Sequence, residues 1–232
     1  MLFLKGVNFM KKVFCIILSM LMLLSLFGCT GNTDPEDIRG EVSGTTEGNQ
    51  EEKPEFSLGD TTGSTYTNDF LGISCTLPEG WVFYTDEQIK EQNNITENYL
   101  DEEVIEQLKK ASIVYDMIAK NMTDGSNINV TMEKLNADQI EDLNIKDILE
   151  ADIDTIKSTY ANIGCSDVQV EYQKLTVDGK EFDSLKIQAK FQSLNFSSIL
   201  FAFPKGDYLA NVTVCSLSAD TVNSILGSIT VK

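Results

Sequence analysis

The chain has 232 residues, with 36 acidic side chains, 18 basic side chains, no histidine and a formal net charge of −18 at pH 7. Such an excess of carboxylates excludes a nucleic-acid partner, because phosphate backbones attract basic surfaces. The absence of histidine removes the commonest general base and the commonest zinc ligand, so we expect no catalytic residues, no metal ligands and no cofactor.

Residues 1–28 have the order of a secretory signal. Three lysines, the last of them Lys12, precede an uncharged run from Val13 to Phe27, and small Gly28 follows. A basic start, an apolar centre and a small residue at the cleavage point define such signals. The apolar run is shorter than the roughly 20 residues that a membrane-spanning helix requires. The sequence therefore predicts a signal peptide over residues 1–28.

Cys29 directly follows this signal. The stretch Leu26, Phe27, Gly28 and Cys29 resembles the lipobox of bacterial lipoproteins. That resemblance implies that Cys29 carries a diacylglycerol and becomes the first residue of the mature chain. Since two or more acyl chains hold a protein stably on a membrane, we expect a lipid anchor on the extracytoplasmic face of the cell membrane.

Residues 29–65 combine this cysteine with a stretch rich in Gly, Thr, Asp and Glu. The stretch has few periodic apolar positions, which is typical of a disordered acidic linker. A flexible coil of this length spans about 35 Å. The remaining residues 66–232 have the size of a single globular domain.

The first part of this domain mixes short strands and helices. Strands are predicted over Gly72–Leu77 and Trp81–Tyr84 from their apolar residues and the turn between them. Thr85 and Gln88 form a capping-box pattern for a first helix. A second helix, from about Thr96 to Lys110, has one apolar stripe and one acidic face.

A β-hairpin and the longest helix follow. Ile113, Tyr115 and Met117 alternate before the turn sequence TDGSN, and Ile128, Val130 and Met132 alternate after it, which predicts two paired strands. An apolar stripe then predicts a helix from about Ile145 to Ile163, with Gly164 as its C-terminal stop.

The last part of the chain is predicted to form a β-meander. Strands are predicted over residues 167–177, 182–192, 196–203 and 208–217, followed by a helix over Ala219–Leu226 with Ser218 as its N-cap and a terminal strand over residues 228–231. The short connections favour antiparallel pairing. The predicted fold class is α+β, with a mostly antiparallel sheet and helices packed on it.

The stretch YTNDFLGISCTLPEGWVFYTDEQI resembles extracytoplasmic lipoproteins of clostridia-like bacteria with a PsbP-like (Mog-type) fold. The residues that carry the resemblance run from Phe70 to Ile73 and from Leu77 to Trp81, together with the helix start at Asp86. The later stretch FAFPKGDYLANVTV is also similar to this group. The resemblance implies an α/β/α sandwich around an antiparallel sheet. The metal sites of the photosynthetic members involve histidines, so none is carried over to this chain.

Several residues of the domain have both a functional and a structural interpretation. Trp81 could contact a ligand, but a lone tryptophan that opens a strand more often packs against the core. Four hairpin residues could bind calcium, but their spacing lacks the alternation and terminal Glu of a calcium loop, so we interpret them as a simple turn. These hairpin residues are Asn121, Asp124, Ser126 and Asn127.

Alternating polar residues on two predicted strands could form an open sheet face that binds a partner. A solvated face is the usual reason for such alternation in antiparallel sheets, and we favour it here. The residues are Lys186, Gln188 and Lys190 on one strand and Asn129, Thr131 and Glu133 on the other. The acidic runs 97–106 and 141–154 are likewise interpreted as solvated helix faces that attract cations or basic wall components weakly.

Three cysteines lie in the predicted domain: Cys75, Cys165 and Cys215. Their odd number and wide spacing do not resemble a disulfide framework, although one disulfide between two of them stays open. Cys75 and Cys215 occur in strand-like runs, where a free cysteine usually packs as a small apolar residue.

The sequence thus favours a non-catalytic surface lipoprotein whose domain binds a protein or an envelope component, or assists assembly there. A solute-binding lipoprotein of a transporter is the alternative, although one domain of this size lacks the two lobes that close around a ligand in such proteins. A histidine-independent enzyme is the third hypothesis, and no GxSxG, HExxH, phosphate-loop or paired-carboxylate motif supports it.

Overall fold

A computed structural model of the chain describes residues 55–95, 101–137, 140 and 143–232. The predicted signal peptide, Cys29 and the first part of the predicted linker lie outside these residues, as does the predicted helix start at Thr96. The described part is α+β, and its sheets are mostly antiparallel, which confirms the predicted fold class. None of the helices in these ranges is long and apolar enough to cross a membrane.

Two antiparallel sheets form the framework of the described residues. The large sheet has the strand order β4-β5-β6-β10-β9-β8-β7, and the small sheet has the order β1-β2-β3-β11. In chain order the strands are β1 (Asp60–Thr62), β2 (Thr65–Asn68), β3 (Ile73–Thr76), β4 (Trp81–Phe83), β5 (Ile113–Asn121), β6 (Asn127–Lys134), β7 (Cys165–Val177), β8 (Lys180–Phe191), β9 (Leu194–Lys205), β10 (Tyr208–Ser216) and β11 (Ile229–Val231).

The helices begin where their capping residues predict. Thr85 and Gln88 form the expected reciprocal capping box, and Ser218 caps the last helix as predicted. The longest helix is capped by Asn144 and ends before Gly164, whose φ of 93° lies in the left-handed region that favours glycine. The described helices are α1 (Asp86–Gln92), α2 (Asp101–Leu108), α3 (Ile145–Asn162) and α4 (Ala219–Leu226).

The large sheet lies between two layers. On one face, Ile156 and Tyr160 of α3 pack with Leu185 of β8 in one apolar cluster. On the other face, α4 and the small sheet share the main core with the large sheet, through residues such as Val222 and Ile73. This order of layers agrees with the expected sandwich around an antiparallel sheet.

The ordered secondary structure begins earlier than the predicted domain boundary at Tyr66. Phe56 is buried in the main core, and β1 pairs with β2 around a turn at Gly63, whose φ is 60°. All three residues of β1 are exposed, so this strand has no apolar alternation that the sequence could reveal. Backbone hydrogen bonds to β2 hold β1 in place, and such bonds do not depend on particular side chains that a sequence pattern could show.

Candidate functional site

Strand β5 contains a bulge at Asp116. Its pairing with β6 shifts register between Tyr115 and Met117, so Asp116 is an extra residue in the strand. The alternation predicted through Tyr115 and Met117 is therefore wrong at this point: Met117 joins the main core, whereas Tyr115 packs with Ile118 in a separate cluster on the other side of the strand.

The Asp116 carboxylate fastens the small sheet to this bulge. Its Oδ1 accepts a hydrogen bond from the backbone N–H of Gly59 at 2.8 Å. Its Oδ2 accepts one from Asn68 Nδ2 at 2.7 Å and one from the hydroxyl of Tyr66. We call Gly59, Tyr66, Asn68 and Asp116 the Asp116 cluster.

Burial dominates the electrostatics of this cluster. It raises the pKa of Asp116, although the hydrogen bonds from Tyr66, Gly59 and Asn68 act to lower it. Burial also raises the pKa of the Tyr66 hydroxyl well above its usual value, and the neighbouring carboxylate raises it further. Both groups therefore favour their neutral forms more than they would in water.

Position 59 has no space for a side chain, so it requires glycine. A Cβ on this residue would lie 2.3 Å from Cε2 of Tyr66 and 2.9 Å from the carbonyl oxygen of Thr67. Only glycine lets the backbone approach the tyrosine closely enough to donate to Asp116.

The outer edge of β5 opens next to the bulge. Strand β4 covers β5 as far as the hydrogen bond from Tyr84 N to Ile118 O, at 2.8 Å, and the chain then turns into α1. Beyond the bulge, the Asn93 side chain replaces a strand: Nδ2 donates to Tyr115 O and Oδ1 accepts from Tyr115 N, both at 2.8 Å. The bulge thus lies between two stretches of edge that are hydrogen-bonded.

A cavity of about 430 Å³ lies at this opening, which is within the usual size range of small-molecule sites. Its walls come from the segment before β2, the end of β4, helices α1 and α2, and β5. We call it the bulge cavity. Most of the apolar lining comes from Phe83, Ile89, Ile95, Val104, Ile105, Leu108, Met117 and Ile118.

The charged side chains of the bulge cavity are mainly acidic. Asp60, Asp86 and Asp116 line it together with one base, Lys90. Asp60 and Asp86 are exposed to solvent, whereas Asp116 is buried. The site therefore combines apolar walls, a buried carboxylate and a solvent-exposed acidic rim.

A second buried polar region lies on the face of the large sheet that α3 covers. The side chains of Asn129, Thr131, Ser198 and Thr213 are buried there. The polar atoms of Asn129, Thr131 and Thr213 have no hydrogen-bond partner among the described residues, whereas Ser198 interacts with Cys215. Direct cross-strand pairing places Asn129 opposite Thr213 and Thr213 opposite Leu200. We call these four residues the inner polar patch.

The predicted solvated face is therefore wrong for Asn129 and Thr131. Strand β6 is an inner strand between β5 and β10, and its residues from Asn127 to Met132 are buried on both faces, although its alternation is that of a half-exposed strand. Lys186, Gln188 and Lys190 of β8 point to the opposite face: Lys186 pairs through Ile199 and Val214 with Ile128. Gln188 and Lys190 are exposed, as expected of a solvated face.

Trp81 and the hairpin turn have structural surroundings. Trp81 packs against the main core from the start of β4, which agrees with its interpretation as a packing residue. In the turn, Asn121 Oδ1 accepts from Thr123 N at 2.7 Å and Asp124 Oδ1 accepts from Ser126 N at 2.9 Å. These oxygens stabilise the turn itself.

The three cysteines of the domain are free and buried. Burial raises the pKa of Cys165 to about 11 and that of Cys215 to about 12. Thiolates are correspondingly scarce, and the burial of Cys75 and Cys215 agrees with their interpretation as small apolar residues.

None of the residues proposed from the sequence as ligand contacts lines the bulge cavity. One signal was nevertheless present. Asp116 is the only charged residue in the run Ser112–Ala119, and a carboxylate inside such an apolar strand needs a buried partner or a break in the alternation. The structure has both.

Comparison with known proteins gives a likeness of fold without a family assignment. No protein-family model matches the chain, and no curated protein matches it. Similar solved structures include the solution structure of cyanobacterial PsbP (CyanoP) from Synechocystis sp. PCC 6803, with 16% identity, a TM-score of 0.43, and coverage of 77% of this chain and 99% of that one. The sequence resembles the same PsbP group.

Two further structures are similar at lower identity. A crystal structure from Bacteroides thetaiotaomicron VPI-5482 has 11% identity and a TM-score of 0.39, and covers 74% of this chain and 49% of that one. LpqN, involved in cell envelope biogenesis of Mycobacterium tuberculosis, has 10% identity and a TM-score of 0.40, and covers 69% of this chain and 83% of that one. The identities and TM-scores compare sequences and backbones, and they say nothing about bound ligands.

Proposed function

We propose that this chain is an extracytoplasmic lipoprotein, anchored to the cell membrane through Cys29, whose single domain binds a small molecule of the cell envelope without chemical conversion. The bulge cavity is the observation that carries this proposal. It has the volume of a small-molecule site, its walls are mostly apolar, and a buried carboxylate lies among them.

The chemistry of the site favours binding over catalysis. Asp116 already accepts three hydrogen bonds from the protein, and the hydroxyl of Tyr66 is committed to it. The buried cysteines have raised pKa values and do not line the cavity. The carboxylate therefore stabilises the fold through these hydrogen bonds, and proton transfer during catalysis would break them.

A solute-binding lipoprotein of a transporter is the second candidate, and the same cavity favours it. A cavity inside one domain removes the need for two lobes that close around a ligand. In both versions we expect the predicted acidic linker to leave the domain free to turn near the membrane. The two versions differ in the destination of the ligand, which is an envelope assembly in one and a transporter in the other.

The test begins with the anchor. Cell fractions of a strain that expresses the full chain are compared with those of a Cys29→Ala variant, and the mature N-terminus is analysed by mass spectrometry. We expect a diacylglycerol on Cys29 of the wild type and none on the variant. An unmodified Cys29 in the membrane fraction would contradict the proposed anchor.

The binding part is tested on protein purified from native membranes. Native mass spectrometry should detect a small molecule that is retained by the wild type and lost from an Ile105→Trp variant, in which the larger indole occupies part of the cavity. Crosslinking with the tethered protein as bait then distinguishes an envelope partner from a transporter. Recovery of the wild type from native membranes without any bound molecule would contradict the binding proposal.

A further inference from the structure

We infer that the bulge cavity selects an amphiphile with an apolar body and a positively charged ammonium head, and that the head pairs with Asp116. The inference rests on the binding function proposed above and assigns the chemical class of the ligand. It depends on three features of the site: the acceptor capacity of Asp116, the charge around the mouth and the nature of the walls.

Asp116 has acceptor capacity left over. An ionised carboxylate offers about four lone-pair positions. Gly59, Tyr66 and Asn68 use three of them, one on Oδ1 and two on Oδ2. One acceptor position on Oδ1 therefore remains, and Asp116 is one of the residues that line the cavity.

The carboxylate also lacks a cation. Among the described residues, no lysine or arginine nitrogen lies within 4.0 Å of Asp116, and Lys90 lines the cavity without reaching it. A buried carboxylate that is hydrogen-bonded but unpaired is costly to ionise, and an ammonium group beside it offsets that cost. Burial raises the pKa of Asp116 in agreement with this lack of a cation.

The mouth of the cavity has the matching sign. Asp60 and Asp86 are exposed at its rim, against Lys90 alone, and the chain as a whole is strongly acidic. This field attracts cations and opposes the entry of a carboxylate or a phosphate. An anionic ligand would bring a like charge towards Asp116.

The walls accept the rest of the molecule. Ile105 and Ile89 lie on neighbouring helices and are half-buried, and Met117 and Ile118 close the cavity on the strand side. Such walls stabilise a hydrocarbon body by removing it from water. A wholly polar cation would leave this apolar surface in contact with water.

The inference is tested with three probes of equal length: hexylammonium, 1-hexanol and hexanoate. Each is titrated by isothermal calorimetry and by ¹⁵N–¹H NMR into the mature chain, residues 29–232, carrying Cys29→Ala to avoid detergent. Because charge-assisted hydrogen bonds are about twice as strong as neutral ones, we expect hexylammonium to bind about tenfold tighter than 1-hexanol. We expect no detectable binding of hexanoate, and the largest shifts for the amides around the β5 bulge.

Two variants locate the site. Ile105→Trp, which places a larger side chain in the cavity, should weaken hexylammonium binding at least tenfold. Ile153→Trp on α3 is the matched control, since Ile153 is also half-buried but lies against a different apolar cluster. Asp116→Asn should remove the preference for hexylammonium over 1-hexanol, provided that its NMR spectrum shows a folded protein.

The outcomes separate the two proposals. If 1-hexanol or hexanoate binds as tightly as hexylammonium and Ile105→Trp abolishes this binding, the ammonium assignment is overturned while the binding function stands. If hexylammonium binds equally well to the wild type and to Ile105→Trp, the cavity is not the site. If no probe binds and no molecule copurifies from membranes, the proposed binding function fails as well.

Discussion

The Asp116 cluster and the inner polar patch are both buried and polar, but they differ in whether their polar groups are hydrogen-bonded. In the cluster, each carboxylate oxygen of Asp116 accepts at least one hydrogen bond from Gly59, Tyr66 or Asn68. In the patch, the side-chain polar atoms of Asn129, Thr131 and Thr213 have no partner among the described residues. The same cost of leaving water is therefore offset in one place and not in the other.

The difference shows what each region contributes. The Asp116 cluster joins two sheets that share no strand, so its hydrogen bonds add to the apolar core between them. The patch lies within one sheet, whose backbone ladder already holds β6, β9 and β10 together. Loss of side-chain polarity should therefore weaken the cluster and strengthen the patch.

The largest effect is expected for Asp116→Ala. The substitution removes the acceptor of three hydrogen bonds, and a buried donor left without a partner, as at Tyr66 and Asn68, costs about 1–3 kcal/mol. We expect the free energy of unfolding of residues 29–232 to fall by about 3 kcal/mol or more in urea denaturation. Glu79→Ala is the control, since Glu79 is exposed in the turn before β4 and should cost little. A loss below about 1 kcal/mol would mean that the cluster does not join the sheets.

Thr213→Val sharpens the comparison by reversing its sign. Valine has nearly the shape of threonine and favours strands, and it removes a buried hydroxyl that has no partner. We expect stabilisation by about 1 kcal/mol, measured in the same way. The control is Thr65→Val, because the Thr65 hydroxyl is bonded to that of Thr76 at 3.1 Å and should bring no gain. Destabilisation by Thr213→Val would show that the patch has a partner in solution.

The pH dependence of stability isolates the buried carboxylate. Burial raises the pKa of Asp116 in the folded chain, so the native state holds this proton more tightly than the unfolded state. Its contribution to stability is complete below the unfolded pKa of about 3.9 and is lost as the pH rises through the folded pKa. We expect the stability of the wild type relative to Asp116→Asn to fall as the pH is raised from about 3.5 to 8. A difference that is constant with pH would contradict the raised pKa.

The sequence predicted those parts of the fold that have a periodic pattern or a cap. Helix α4 has the predicted bounds, and α3 ends one residue before the predicted Ile163, because apolar stripes and capping residues define both helices. Strand β1 was missed because it is short and wholly exposed, and its pairing with β2 depends on backbone bonds that no side chain announces.

The candidate site could not be predicted in the same way. A bulge changes the face of every following residue, and the pattern around Tyr115 and Met117 fits an unbroken strand equally well. Burial of both faces of β6 depends on the tertiary structure around this inner strand. The alternation of Asn129 and Thr131 with apolar residues is the same in a strand with one solvated face, so the sequence could not reveal that burial. The lone Asp116 within an apolar run was the one local sign that the alternation would fail.

The smallest effect is expected at the surface, where the same pair of side chains recurs. The hydroxyl of Tyr172 donates to Asp183 Oδ1 at 2.5 Å, and Lys174 lies 3.1 Å from the same oxygen. Although partial burial raises the pKa of Asp183, the bonds from Tyr172 and Lys174 outweigh it and lower the pKa. Water can replace the lost partner at this partly exposed site, so Tyr172→Phe should leave the urea midpoint unchanged within error.

Tyr66→Phe removes the same hydroxyl from a tyrosine–aspartate pair in the core. No water can take its place there, and a hydrogen bond to a charged acceptor contributes about 1.5–3 kcal/mol. We therefore expect Tyr66→Phe to lower the free energy of unfolding by about 2 kcal/mol. Equal losses for the two variants would mean that burial does not decide the strength of these bonds. The contrast between satisfied and unsatisfied polar groups would then need another cause.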